Sequence, residues 1–406
     1  MGPLQGIKVL DLSRILAGPW ATQVLADFGA EVWKVERPNA GDDTRKWGPP
    51  FLQDEQGNDT NEAAYYLSAN RGKHSVTIDI TSPQGQQLIH QLAAKADIVV
   101  ENFKVGSLKK YGLDYQSMKA VNPSIIYCSI TGFGQTGPDS KRAGYDAMIQ
   151  AMGGLMSLTG LPEGQPGAGP QKVGVAVVDI MTGMYAVSGI LAALYHRNTT
   201  GIGQYIDLAL LDTQVSCLAN QGMNYLVGND VPTSQGTAHP NIVPYQAFTT
   251  DDGYIMLAVG NDTQFQHCCQ ALALPELAMD GRFITNQLRV ANRQQLIPLL
   301  NAALSQHPLD YWLAALNKAG VPCGPINTLD RVYAEPQVQH REMVMELSHA
   351  NTSKVMQVAN PIKFSETKVE YKKAPPILGE DTSNILTNQL GLSAEQLHKL
   401  KKQNII

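Results

Sequence analysis

One carboxylate stands out in this chain. Asp179 is the only charged residue between Val173 and Tyr195, in the run VGVAVVDIMTGMYAVSGILAALY. An ionised carboxylate in so apolar a setting costs free energy unless it is paired, capped or protonated. Chains that keep one there commonly use it chemically. Two compatible readings follow. The loop and strand signals end at Asp179 and a helix, IMTGMYAVSGILAALYHR, begins, so the side chain could cap that helix and be held ionised by its dipole. The same setting also suits a nucleophilic carboxylate that is desolvated, oriented and deprotonated. Thr182 and Gly183 are small enough to let a ligand or another backbone approach. Residue types alone leave both readings open.

A second set of residues is cationic and follows strand-like segments. Arg37 comes after KVE, Arg71 and Lys73 lie in ANRGKHS, Lys104, Lys109 and Lys110 lie in ENFKVGSLKKYG, and Arg142 lies in SKRAGYD. Strand ends converge in a parallel sheet, so these cations could gather around one polyanion. Taken singly, each is an ordinary surface charge. GFGQTG (132–137) matches the glycine spacing of a dinucleotide turn, yet it runs into Pro138, Asp139, Ser140 and Lys141 rather than an apolar helix. The first strand-to-helix turn reads SRILAGP, so a plain glycine-rich turn is the better reading. There is no G-x-S-x-G elbow and no Walker A loop. His239, in GTAHPNIVPY, is a loop residue open to a substrate contact or a structural role.

The elements that must position these groups alternate. IKVLDL (7–12), EVWKVE (31–36), HSVTIDI (74–80), DIVVEN (97–102) and IIYCSI (125–130) read as strands, and ATQVLADFG and GQQLIHQLAAKA as helices between them. This is α/β patterning with a largely parallel sheet. Ligands bind such sheets beyond the carboxyl ends of the strands, where SRILAGP, ERP, ENFK and TGFGQTGP fall. TGLPEGQPGAGPQK (159–172) is a loop. The style then changes to helices mixed with loops, and a smaller domain is expected at 225–330. It separates a larger part at 1–224 from a return at 331–406. The chain closes on a helix with Ser393 as N-cap and Gln396 completing a capping box.

Bulk properties narrow the function classes. At 406 residues the chain exceeds one compact core, so two domains are expected. With 43% apolar and 17% charged residues and a net charge of -5, general nucleic-acid affinity is not expected. The five cysteines are odd in number and lack C-x-x-C spacing, which argues against a disulfide framework or structural zinc and fits a cytoplasmic setting. No H-E-x-x-H pair occurs and no metal is expected. The N-terminus lacks the apolar core of a signal peptide. The run around Asp179 is long enough to cross a bilayer, but glycines and the acid interrupt it, so a buried core helix is expected and no membrane partner.

Taken together, GIKVLDLSRILAGP, AEVWKVERP, YYLSANRGKHSVTIDI, DIVVENFKVGSLKKYGL, YCSITGFGQTGP, RAGYDAMIQAMGGLM, VAVVDIMTGMYA, GTAHPNIVPYQAF, GVPCGPINTL and PILGEDT resemble the class III CoA-transferases. The motifs occur in family order over essentially the full length. NRGKHS, RAGYDA, GTAH–IVPYQAF and AEPQV resemble most closely the succinyl-CoA-dependent branch acting on dicarboxylates. The resemblance implies an interlocked homodimer whose large Rossmann-like domain is built from both chain ends, with a smaller α+β domain. It implies an acyl-CoA and a small carboxylic acid as substrates, with Asp179 as nucleophile. It places oxyanion donors at Ala17 and Gly18. Arg37, Asn70, Arg71, Lys73, Lys104 and Lys110 match segments that hold CoA, and Arg142 and Tyr145 match a segment near the CoA chain and the active site. Arg14, Arg142 and His239 are candidates for a far carboxylate. Leu16 stands where the formyl-CoA branch has glutamine, and a four-glycine loop is missing, so oxalate and formate are not expected. A racemase acting on 2-methylacyl-CoA by acid/base chemistry, or a non-catalytic CoA-binding protein, are the alternatives.

Overall fold

A computed structural model describes residues 1–406. The chain divides into two compact units. The first comprises Met1–Leu155, Lys172–Asn229 and Gln337–Ile406, and the second Met156–Gln171 and Asp230–Pro336.

The first unit is built on a six-stranded parallel sheet. Its strands are β1 (Lys8–Asp11), β2 (Glu31–Glu36), β3 (Lys73–Thr77), β4 (Ile98–Glu101), β5 (Ile126–Thr131) and β6 (Tyr205–Ala209). In space they run β3-β2-β1-β4-β5-β6, so the order reverses next to β1. That reversal opens a crevice at the carboxyl ends of β1 and β4. Alternate residues of each strand feed two cores, as a sheet covered on both faces requires. Val9, Val32, Ile98, Val100, Cys128 and Ile130 meet helices α1 (Ala17–Asp27) and α5 (Val177–Thr200) on one face. Leu10, Trp33, Val76, Val99 and Tyr127 meet α2 (Pro83–Ala93), α3 (Tyr115–Val121) and the C-terminal helices α6 (Thr382–Leu390) and α7 (Ala394–Lys402) on the other. Between α3 and α5 a short helix, α4 (Asp146–Met152), precedes the loop that leads to Asp179. Ser393 caps α7 with the reciprocal Gln396 bond of a capping box, as its sequence predicts.

The helix beginning near Asp179 runs to Thr200 and ends on left-handed Gly201. It is a core helix, but only half of its most apolar window is buried in the fold. The segment DTQVSCLANQGMNYLV, which reads as one helix in sequence, is two, Leu210–Ser216 and Ala219–Gly228, because Ala219 adopts a positive φ of 46°.

The second unit holds an antiparallel three-stranded sheet of β7 (Tyr245–Thr249), β8 (Tyr254–Ala258) and β9 (Cys323–Pro325). Phe248, Ile255, Leu257, Phe265, Leu300 and Trp312 form its core. The glycine- and proline-rich loop joins this unit, where the Gly236 N–H donates to the Gly160 carbonyl at 2.9 Å.

Candidate active site

The turn from β1 into α1 builds one wall of the site. Ile15 is left-handed, with φ 70°, a costly conformation for a β-branched residue. Its N–H points at the Asp42 carboxylate, 3.3 Å from each oxygen, which helps hold the turn. Lys34 lies 2.8 Å from Asp42 and, despite burial, holds that carboxyl down at about 2. The strained turn aims the start of α1 into the crevice. Ala17 and Gly18 are the first residues of the helix, so their N–H groups have no acceptor within it. Pro19 comes next, where a helix does not need the donor.

Helix α5 supplies the other wall. A Cβ on Gly183 would come within 2.8 Å of the Ala17 carbonyl and 3.1 Å of the Trp20 ring. Only glycine permits that approach, and one turn earlier it carries Asp179 to the N-terminus of α1. Leu16, Ala17 and Asp179 accordingly line one cavity of about 160 Å³, together with Arg14, Lys104, Arg142 and Tyr145.

Asp179 does not cap its own helix, which corrects the capping reading of the sequence. It lies inside the first turn, and the N-cap position is Ala176. The cap comes from α4. One oxygen of Asp146 accepts the N–H of Val178 at 2.8 Å and of Asp179 at 3.3 Å, while its other oxygen accepts the Gln150 amide at 2.7 Å. Gln150 in turn accepts the Val173 N–H at 2.9 Å. The Asp179 carboxyl itself has no hydrogen-bond donor from the protein, and burial, with Asp146 as a nearby like charge, pushes it up to about 7. Local dipole arguments predicted an acid held firmly ionised. Burial and the second carboxylate outweigh the dipole, and the result is a carboxyl poised near neutrality. Asp146 sits in RAGYDAM, which the sequence reading associated with the active site through Arg142 and Tyr145 only. Tyr65 was also missed. Burial, with Asp179 and Asp146 close by, raises its phenol to about 12.

A second cavity, of about 280 Å³, adjoins the first, and Arg14 and Phe103 line both. Arg37 and Lys110 line it with Ile78 and Ile80, and neither cation is engaged in a salt bridge. The pair of cavities forms a trough across the strand ends, with Arg37 and Lys110 in the larger cavity and Asp179 in the smaller.

The Asn70–Lys73 turn is not part of that surface, which corrects the expectation that it grips CoA. All three polar side chains are buried and engaged internally. Arg71 grips Asp27 through two nitrogens at 2.9 and 2.6 Å. The Lys73 ammonium donates to the Pro19 carbonyl and the Asn70 amide oxygen at 2.9 Å each, and lies 3.3 Å from Asp11. Burial pushes Lys73 down to about 7. The cause is the turn's course. It enters β3 directly opposite the interior strand β2, so its side chains point under the sheet edge rather than out of it.

Other expected positions fall as follows. Gly18 is buried, whereas Tyr145 is largely exposed. Arg14 pairs with Asp43 at 2.8 Å and lies over the Phe103 ring, and its buried Nε has no partner. Arg142 pairs with Asp139 at 3.0 Å and lies over Phe133. His239 belongs to the second unit, where its Nδ1 accepts the Asn241 N–H at 3.0 Å. GFGQTG is a strand-end turn. A Cβ on Gly132 would strike the Gly144 backbone at 2.6 Å, so the glycine serves close packing against RAGYD rather than a dinucleotide. No group of His, Cys, Asp or Glu side chains is arranged to hold a metal ion.

The sequence profile of CoA-transferase family III matches residues 4–382. The succinate–glutarate CoA-transferase of Agrobacterium fabrum is 48% identical, with 95% of each chain covered. The human succinyl-CoA:glutarate CoA-transferase is 46% identical over 100% of this chain and 90% of its own. A crystal structure of a CAIB/BAIF family protein from Brucella suis superposes with a TM-score of 0.84 at 50% identity, covering 96% of this chain and 99% of that one.

Proposed function

We propose that this chain, which belongs to CoA-transferase family III, moves CoA from succinyl-CoA to a dicarboxylic acid such as glutarate, with Asp179 as nucleophile. The observation that carries the reading is the Asp179 carboxyl, half-buried, free of protein donors and set beside the open N-terminus of α1.

An Asp179 oxygen attacks the thioester carbonyl. The carbon–sulfur bond breaks, and an acyl–aspartyl anhydride and CoA thiolate form. The thiolate then attacks the aspartyl carbonyl, releasing succinate and leaving an aspartyl-CoA thioester. A glutarate oxygen attacks that thioester, and the returning thiolate takes the glutaryl group and regenerates Asp179. Each tetrahedral intermediate develops an oxyanion, and the unused N–H groups at Ala17 and Gly18, with the helix dipole behind them, are the donors in reach. A carboxylate is a weak nucleophile. Removing protein donors from Asp179 keeps it basic, and its elevated pKa raises nucleophilicity while leaving about half of it ionised at neutral pH. Arg37 and Lys110, beside the apolar walls of the larger cavity, suit the phosphates and adenine of CoA. In this reading the thiol end lies toward Asp179.

The exposed face of α5, with Met181, Tyr185, Leu191 and Tyr195, is apolar and unpartnered in one chain. A second copy covering it gives the homodimer expected for the family, and a monomeric mass in solution would remove this part of the reading.

Hydroxylamine or borohydride added after succinyl-CoA should trap an adduct on Asp179. Active protein without any such adduct would overturn the mechanism, and α-proton exchange in the absence of an acceptor would favour the racemase alternative.

A further inference from the structure

A dicarboxylate brings two charges, and only one takes part in the chemistry. The bystander carboxylate also enters a cavity of about 160 Å³, partly out of water, and is favoured by a cation there. Three cations line that cavity: Arg14, Lys104 and Arg142. Two are already neutralised. Arg14 is paired with Asp43 and Arg142 with Asp139, and each guanidinium also lies over an aromatic ring. The Lys104 ammonium has neither a carboxylate nor a hydrogen-bond partner, and the side chain is exposed.

The backbone beneath Lys104 is nevertheless fixed. Asn102 clamps the loop to the β1–α1 turn, accepting the Arg14 N–H at 2.9 Å and donating to the Arg14 carbonyl at 2.6 Å. The Phe103 N–H donates to Glu101 at 2.8 Å. A free ammonium therefore stands on a stem whose root is anchored to the same turn that presents Ala17.

We propose that Lys104 holds the far carboxylate of the acyl group, and does so in both half-reactions. The inference rests on the CoA-transfer reading above. Donor and acceptor acyl groups meet the same Asp179 oxygen in turn, so both must occupy the same cavity, and one anchor serves both. A lysine suits this duty better than an arginine. Its charge is a point on a flexible four-carbon stem, so it can follow a four-carbon succinyl group and a five-carbon glutaryl group, which a rigid fork in one place cannot do equally well. The expectation that Lys104 holds CoA phosphates is replaced by this role.

The test compares two thioesters, succinyl-CoA and butanoyl-CoA, and two acceptors, glutarate and pentanoate, in the full-length enzyme. Lys104→Met should lower kcat/KM for succinyl-CoA and for glutarate by roughly 10- to 100-fold, the scale of one lost charge-assisted bond. The monocarboxylate partners should fall by less than about 3-fold, because they have no charge for Lys104 to meet. Lys104→Arg should restore most of the preference for the dicarboxylates. Equal losses with succinyl-CoA and butanoyl-CoA would overturn the inference and return Lys104 to the CoA phosphates. Unchanged values throughout would remove it from the site. Failure of the underlying reading looks different: the unmodified enzyme would make no glutaryl-CoA from succinyl-CoA and glutarate.

Discussion

Asp11 is a buried aspartate and Asp179 a half-buried one in the same unit, and the structure treats them in opposite ways. Asp11, at the end of β1, is fully buried. Burial would raise it, but Lys73 and Lys34, with the hydroxyls of Ser13 and Thr22, hold it below the ordinary carboxylate range. Asp179 meets no cation and no donor, and burial plus Asp146 raises it to about 7. The first is a fully compensated charge that ties β1, β3 and α1 together. The second is left uncompensated at a cavity wall. An acid compensated by its own protein has little left to offer a substrate, so the contrast separates structure from catalysis more sharply than burial does.

The largest break in this contrast should come from Asp179→Asn. If Asp179 is the nucleophile as proposed, it should cost at least about 10³-fold in transferase activity, since such a group acts as a unit with its site. The same variant should be more stable than the parent at pH 8. Folded Asp179 keeps its proton between about 4 and 7 while the unfolded chain has released it, so this group's contribution to stability falls as pH rises through that window and is unfavourable above 7. Chemical denaturation at pH 5 and pH 8 checks the sign, with the gain smaller at pH 5.

Asp11→Asn should do the reverse. It strands the Lys73 ammonium in the interior and should cost about 3–5 kcal/mol in denaturant titrations, with kcat of the surviving folded fraction little changed. Because Asp11 is lowered, its contribution is present above about pH 4 and is lost only as pH falls below the ordinary value of 3.8.

The smallest and most diagnostic effect belongs to Asp146→Asn. The amide carbonyl can still accept the Val178 N–H, but the like charge is gone. The acid limb of kcat/KM, which in the parent should rise through pH 7, should move to lower pH, with the plateau lowered by about 10-fold or less. An unmoved limb would mean that burial alone sets Asp179.

Much of this was legible before any fold was known. The strand and helix periods of the first unit, the Ser393 capping box and the isolation of Asp179 all rest on local patterns, and the ordered motifs placed the chain in its family. What could not be read was which way the groups face once the strands lie side by side. Lys73 and Lys110 both lie in basic, glycine-containing turns, yet one is sealed between β1 and α1 and the other lines an open cavity. Asp146 and Asp179 are far apart in the chain, and only the packing of α4 against the start of α5 makes one the cap that the other seemed to be.

A lone acid at the start of an apolar helix, after a run of parallel strands, could be read from the chain alone, because side-chain period and chain order are local properties. The tertiary structure alone decided its protonation and its neighbours. Those depend on desolvation and on charges brought within a few ångströms by long-range packing, and no pattern along the chain carries that distance.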